Sequence, residues 1–175
     1  MSIPAGRYRF GPDNGTLSVN TGRTGAVAKA GHDLLLRVTD WEGTLEVGDD
    51  TRLEVRVDGG SLKVHEGTGG MQALDDDDKA NIEQTIDDEV LRRDRITFRS
   101  TGVTAAGDGL RVTGDLTLLG RTAPLSLDLA VADGTVTAAG VVRQTDFGMK
   151  PYSALFGALK VADEVRVSLA ATWPG

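Results

Sequence analysis

The chain has 175 residues, 39% of them apolar and 26% charged, which suits one soluble globular domain with a full core and leaves no room for a second. Its net charge of −7 repels phosphate backbones and anionic headgroups, so no nucleic acid partner and no stable insertion into a membrane is expected. Cysteine is absent, which excludes disulfides, thiolate metal sites and cysteine nucleophiles together.

The opening MSIPAGRYRFG has no apolar signal core and passes quickly into a strand-like pattern. A cytoplasmic protein without a leader is therefore the expectation. The stretch AGHDLLLRVTDWEGTLEV, Ala30 to Val47, follows, and its three leucines place apolar groups on both faces of a strand. Leu34 and Leu36 share one side and Leu35 takes the other, which predicts an inner face lining a cavity and an outer face under a helix or loop. Period two then dominates. Leu53, Val55 and Val57 alternate with charged residues, as do Leu125, Leu127, Leu129 and Val131 with Ser126, Asp128 and Ala130, and Val165, Val167, Leu169 and Ala171 with Arg166, Ser168 and Ala170. Each run has one face for a dry interior and one for water. Arg95 to Val103 and Leu110 to Leu119 are further strands. The 23 glycines cluster between runs, and GDD at Gly48, AAGDG at Ala105 and ADG at Ala132 suit tight hairpins.

One segment breaks this rhythm. In LDDDDKANIEQTIDDEVLRR, Ile82, Ile86 and Val90 recur at every fourth residue and Leu91 widens the stripe, which predicts an amphipathic helix. Asp75 to Asp78 sit at its positive end, and Arg92 and Arg93 are placed in its last turn. The stretch ALFGALKV, Ala154 to Val161, fits a helical turn or a lid over a barrel end. The fold class is all-β: one domain over residues 1–175, a single antiparallel, lipocalin-like barrel of about eight strands, most simply closed, with one inserted helix. Such a barrel encloses a packed core or a cavity for one ligand.

Five segments in order resemble the YceI-like family of lipocalin-like, polyisoprenoid-binding proteins. They are DWEGT (Asp40 to Thr44) downstream of His32, LEVRVDGGSL (Leu53 to Leu62), ITFRST (Ile96 to Thr101), GDLTLLGRTAPLSLDL (Gly114 to Leu129) and TDFGMK (Thr145 to Lys150). The fourth is the most specific. The aspartate-rich segment before the helix departs from the family's His-Leu-x-Ser-like motif. The resemblance implies an elongated barrel of about eight strands with a long apolar cavity for a prenyl chain or similar lipid.

The candidate ligand-binding residues are His32, Leu34, Leu36, Trp41, Phe98, Arg143, Asp146, Phe147, Tyr152 and Phe156. Of these, His32, Arg143 and Asp146, with Lys150, are placed at a polar mouth. His32 and Asp33 are neighbours whose side chains point to opposite faces in a strand, so they form no dyad by themselves. No Gly-x-Ser-x-Gly elbow is present, and GTGG and GRTG lack the strand-to-helix layout of a phosphate cradle. His32 and His65 stand too far apart in sequence to suggest a metal site, and no cofactor is expected. A tail of ~25 to 40 carbons would bind with on the order of −8 to −12 kcal/mol from apolar contact alone. The overall negative charge favours a neutral or singly charged head group. The expected function is non-catalytic binding, storage or transport of an isoprenoid, quinone or fatty amphiphile, with a homodimer compatible with the sequence. The alternatives are a cavity enzyme using His32 or Asp146 as acid-base, and an interaction module with a solid barrel.

Overall fold

Alternation along the strands decides which side of the sheet faces inward. The computed structural model describes residues 3–25, 31–70, 72–154 and 159–174. The first part of the chain forms β1 (Gly6–Phe10), β2 (Gly15–Thr21), β3 (Arg23–Thr24), β4 (Asp33–Val38), β5 (Trp41–Val47), β6 (Arg52–Asp58) and β7 (Leu62–Thr68). Helix α1 (Asp76–Thr85) comes next, followed by β8 (Arg95–Ala106), β9 (Gly109–Leu118), β10 (Arg121–Ala132), β11 (Thr135–Arg143), β12 (Ser153–Ala154), β13 (Leu159–Val161) and β14 (Glu164–Thr172). On β10 the alternation is plain: Ala123, Leu125 and Leu129 are buried while Pro124, Ser126 and Asp128 are exposed.

Eleven strands form one antiparallel sheet in the order β1-β5-β6-β8-β9-β10-β11-β14-β2-β4-β7, and β12, β13 and β3 form a second, three-stranded one. The expectation of about eight strands closed into a barrel is therefore corrected: the large sheet is curled and open, with β1 and β7 as its edges. The physical reason is a set of corners. Three chain segments bend sharply, and each supplies one strand near either end of the sheet: β1 and β2, β5 and β4, β6 and β7. Those six strands and the five long ones, β8 to β11 and β14, make the eleven.

Side chains and close backbone contacts hold the corners. At the first, Asn14 accepts from the Gly11 amide at 2.8 Å and donates to the Arg9 carbonyl at 3.0 Å. At the second and third, which meet, Ser61 is buried and its hydroxyl donates to the Asp58 carbonyl at 2.7 Å while accepting from the Asp40 amide at 3.1 Å. Thr39 donates both its amide and its hydroxyl to the Ser61 carbonyl, at 3.0 and 2.7 Å. Gly59 is required here because a Cβ would lie 2.4 Å from the Asp94 carbonyl oxygen. Trp173, just after the last long strand, lies with its ring 4.1 Å from that of Tyr8 on β1, joining the chain's two ends.

The helix begins where its acidic run predicts. Asp75 is the N-cap, accepting from the Asp78 amide at 2.8 Å, and Asp78 returns the bond to the Asp75 amide at 3.1 Å, a capping box. Asp76 to Asp78 sit in the positive first turn. The far end differs from expectation: α1 passes into a π-helical turn over Ile86–Val90, and Arg92 and Arg93 lie beyond it at φ of 53° and 55°. They reverse the chain toward β8, and Arg93 reaches back to Asp87 in the π-helical turn, Nε to Oδ2 3.7 Å. Ile86 is buried, and Glu83 accepts from the Val64 amide on edge strand β7 at 2.9 Å. At the segment Ala154 to Val161, expected as a helical turn or a lid, strands β12 and β13 stand at its two ends, and its middle lies outside the described residues.

Candidate functional site

The inner faces of the long strands converge on one apolar cavity. Its walls are Val55 and Val57 from β6, Ile96 and Phe98 from β8, Leu116 and Leu118 from β9, Leu125, Leu127 and Leu129 from β10, and Val165, Val167 and Leu169 from β14. Phe10, Leu17, Val19, Val38, Trp41 and Leu45 complete the wall from the bent segments, and Leu91 reaches it from the end of the π-turn. The cavity measures about 210 Å³. Its lining is apolar because most of the wall residues on strands are the inward members of alternating pairs. Ser168 lies along the wall between inward Val167 and Leu169, so alternation turns its side chain to the opposite face.

One aromatic residue of the wall carries a buried polar atom. Trp41 is 5% exposed, and its indole Nε1–H is buried without a hydrogen-bond acceptor. Glycine leaves room beside the six-membered edge of the ring: a Cβ at Gly15 would come within 3.3 Å of Cη2, whereas one at Gly43 would lie in ordinary contact, 3.8 Å from Cζ3.

The other residues singled out in the sequence are distributed as follows. Phe98 borders the cavity with Trp41. Leu36 and Phe147 are buried, at 3% and 4% exposure, in the surrounding core. Leu34 borders a second, larger depression of about 540 Å³ together with Leu35, Asn20, Asp33, Glu66, Val141 and Arg166. Leu35 there belongs to a rung that runs across five strands as Val141, Arg166, Asn20, Leu35 and Glu66. His32 does not line the cavity; its Nε2 lies 2.6 Å from the Gln72 carbonyl oxygen and ties the start of β4 to the loop after β7. Tyr152 is exposed, and Phe156 lies outside the described residues.

Arg143 and Asp146 border a shallow polar groove with Phe147 and Glu164, and neither belongs to the apolar wall. Arg143 donates to Glu164 at 3.1 Å, and that carboxylate holds the guanidinium above its ordinary value. Close by, the Thr145 hydroxyl and amide donate to Asp163 at 2.7 and 2.8 Å and push its carboxyl below the usual range, the hydroxyl contributing most. Among the described residues, no group of three or more His, Asp or Glu side chains is arranged to hold a metal ion. No described helix is long and apolar enough to cross a membrane.

Most of the wall escaped residue-by-residue prediction. Its signal was nonetheless present in the period-two runs, whose inward members are Leu53, Val55, Val57, Leu125, Leu127, Leu129, Val165, Val167 and Leu169.

Comparison with known proteins agrees with this architecture. BcnA of Burkholderia cenocepacia superposes with a TM-score of 0.60 at 16% identity, over 89% of this chain and 94% of that one. A cysteine variant of the Campylobacter jejuni YceI protein, crystallised with a monobromobimane guest, gives 0.56 at 11% identity over 78% and 81% of the two chains. Another crystal structure of the Campylobacter jejuni YceI protein gives 0.52 at 12% identity over the same shares. At these identities the likeness shows the fold. No curated protein matches the chain in sequence. The YceI-like domain matches residues 8–173, nearly the whole length, and the chain belongs to the YceI-like family.

Proposed function

We propose that the protein binds a hydrophobic small molecule, an isoprenoid-like or other long-chain amphiphile, in the cavity inside the curled sheet, without chemical transformation. The carrying observation is the wall itself: side chains from both the bent and the long strands present an almost continuous hydrocarbon surface. Apolar chains leave water for such a surface at roughly 0.8 kcal/mol per CH₂. Catalysis has no comparable support, since neither His32 nor Asp146 borders this space.

Volume sharpens the reading. Pockets for drug-sized ligands span roughly 300 to 1,000 Å³, and this cavity holds about 210 Å³. A dry cavity of ~150 Å³ takes one benzene, so the space accommodates a segment of roughly eight to ten carbons. A longer tail must leave part of itself outside or widen the interior. The net charge of −7 adds a preference for a neutral or singly charged head group.

The test is organic extraction of purified protein with mass spectrometry, followed by titration of the delipidated protein with a chain-length series of methyl ketones. Affinity should climb with each methylene and level off near roughly ten carbons if the cavity keeps its size. Absence of uptake for prenyl chains, quinones and fatty amphiphiles alike would overturn the proposal.

A further inference from the structure

Resting on the cavity reading above, we infer that the cavity is one hydrocarbon chain wide and that Phe98 sets this girth. The tail it selects is then an unbranched alkyl or acyl chain, in preference to a methyl-branched isoprenoid of the same carbon count.

Volume and length agree on a single file. Val165 and Leu169 on β14 both border the cavity and lie four residues apart, as do Leu125 and Leu129 on β10. At about 3.3 Å per residue, each pair spans roughly 13 Å. The cavity's volume of about 210 Å³ takes roughly eight to ten carbons. An extended chain advances about 1.2 Å per bond, so that many carbons in line reach roughly 8 to 11 Å. One chain therefore uses up the volume over most of the length, and nothing is left beside it for branches.

Phe98 takes up the space a wider ligand would need. It is buried, and among the described residues it is the one aromatic side chain that the long strands give to this wall. It stands on one rung with Val55 of β6 and Leu116 of β9, both of which line the cavity. The inward positions of β9 are Leu110, Val112, Gly114, Leu116 and Leu118, and glycine alone among them leaves a notch. The Phe98 ring fills it: a Cβ at Gly114 would lie 2.7 Å from its Cζ. An isoprenoid tail carries a methyl on every fourth carbon, and each methyl needs space off the chain axis. In a packed wall such a methyl forces side chains off their rotamers. One surplus carbon in a hydrophobic pocket costs about tenfold or more in affinity.

The test titrates delipidated protein with two isomers, 1-decanol and 3,7-dimethyl-1-octanol, which share a head group and a formula and differ in branching alone. Binding is read by calorimetry and native mass spectrometry on the full chain and on Phe98→Leu, which stays apolar and falls short of the notch. The wild type should bind 1-decanol at least about tenfold more tightly than its isomer. Phe98→Leu should bring the two within about twofold, by gaining affinity for the branched one. NOEs from the bound decanol chain to the Phe98 ring are expected in the wild type. If the wild type binds both isomers equally, or the variant keeps the wild-type preference, or those NOEs are missing, the inference falls and the cavity reading stands. If neither isomer binds, both fall. The wild-type titration and NOEs decide the question even if Phe98→Leu does not fold.

Discussion

The sheet is built in two manners. Between Arg95 and Thr172 lie five long strands of nine to twelve residues, with the plainest alternation on β9 and β10, linked mostly by short turns. Before them, six strands of five to seven residues come from three segments that turn sharply partway. In the long half the strands follow ordinary twist apart from one register shift in β8, between Ser100 and Gly102. In the short half curvature is concentrated at corners, where specific side-chain hydrogen bonds carry it. The comparison teaches that period-two burial is sufficient to place a strand, while bending one requires polar groups in defined positions.

Substitutions can break or sharpen this contrast. Leu45, on β5, is fully buried, and Leu45→Ala is expected to cost about 3 kcal/mol in urea unfolding. The same change enlarges the cavity, so a bulkier ketone should gain affinity relative to a slim one. Next comes the corner. Ser61→Ala removes a buried hydroxyl that makes bonds to Asp58 and Asp40, and should lower stability by about 1 to 2 kcal/mol. The corresponding deletion in the long half, Thr113→Ala, removes an exposed bond to the Gly102 carbonyl and should stay within about 0.5 kcal/mol. Equal losses at the two positions would erase the distinction between the halves.

The smallest effect is one of pH. Thr145 holds the Asp163 carboxyl below its ordinary value, so the folded state binds its proton less readily than the unfolded chain. The stabilisation is complete above the unfolded value of about 3.9 and is lost as pH falls through the lowered folded value. Thr145→Ala should therefore lie furthest below the wild type at neutral pH, and the gap should close on acidification. Thermal midpoints measured from pH 7 down to pH 3 check the sign.

How much of this was legible depended on where the physics is local. Alternation at Leu125 to Val131 and Val165 to Ala171 marked strands directly, because one face of each is buried. The Asp133-Gly134 hairpin was readable too, both residues standing at positive φ as such turns require. Its counterpart at Leu119-Gly120 was not, since leucine at φ 50° contradicts its own preference and is held there by context. In that turn the Leu119 amide donates to Asp94, a residue 25 positions away. The corners at Thr39-Asp40 and Gly59-Ser61 escaped for the same reason: their bonds join segments about twenty residues apart. The four-residue spacing of Ile82, Ile86 and Val90 marked a helix but could not reveal its π-helical turn. In the candidate site, aliphatic inward positions were visible as a pattern, whereas the unpaired indole N–H of Trp41 becomes visible only once the packing around it is known.

The bond from the Val64 amide to Glu83 has a consequence for self-association. Strand β7 is an outer strand of the large sheet, and an outer strand offers its free amides to any passing copy of the same chain. By laying a helix there and spending a carboxylate on one of those amides, the fold keeps a template for runaway stacking out of reach. Glu83→Ala should accordingly cost the isolated molecule about 1 to 2 kcal/mol and raise its tendency to form fibres under partial unfolding, read by dye binding.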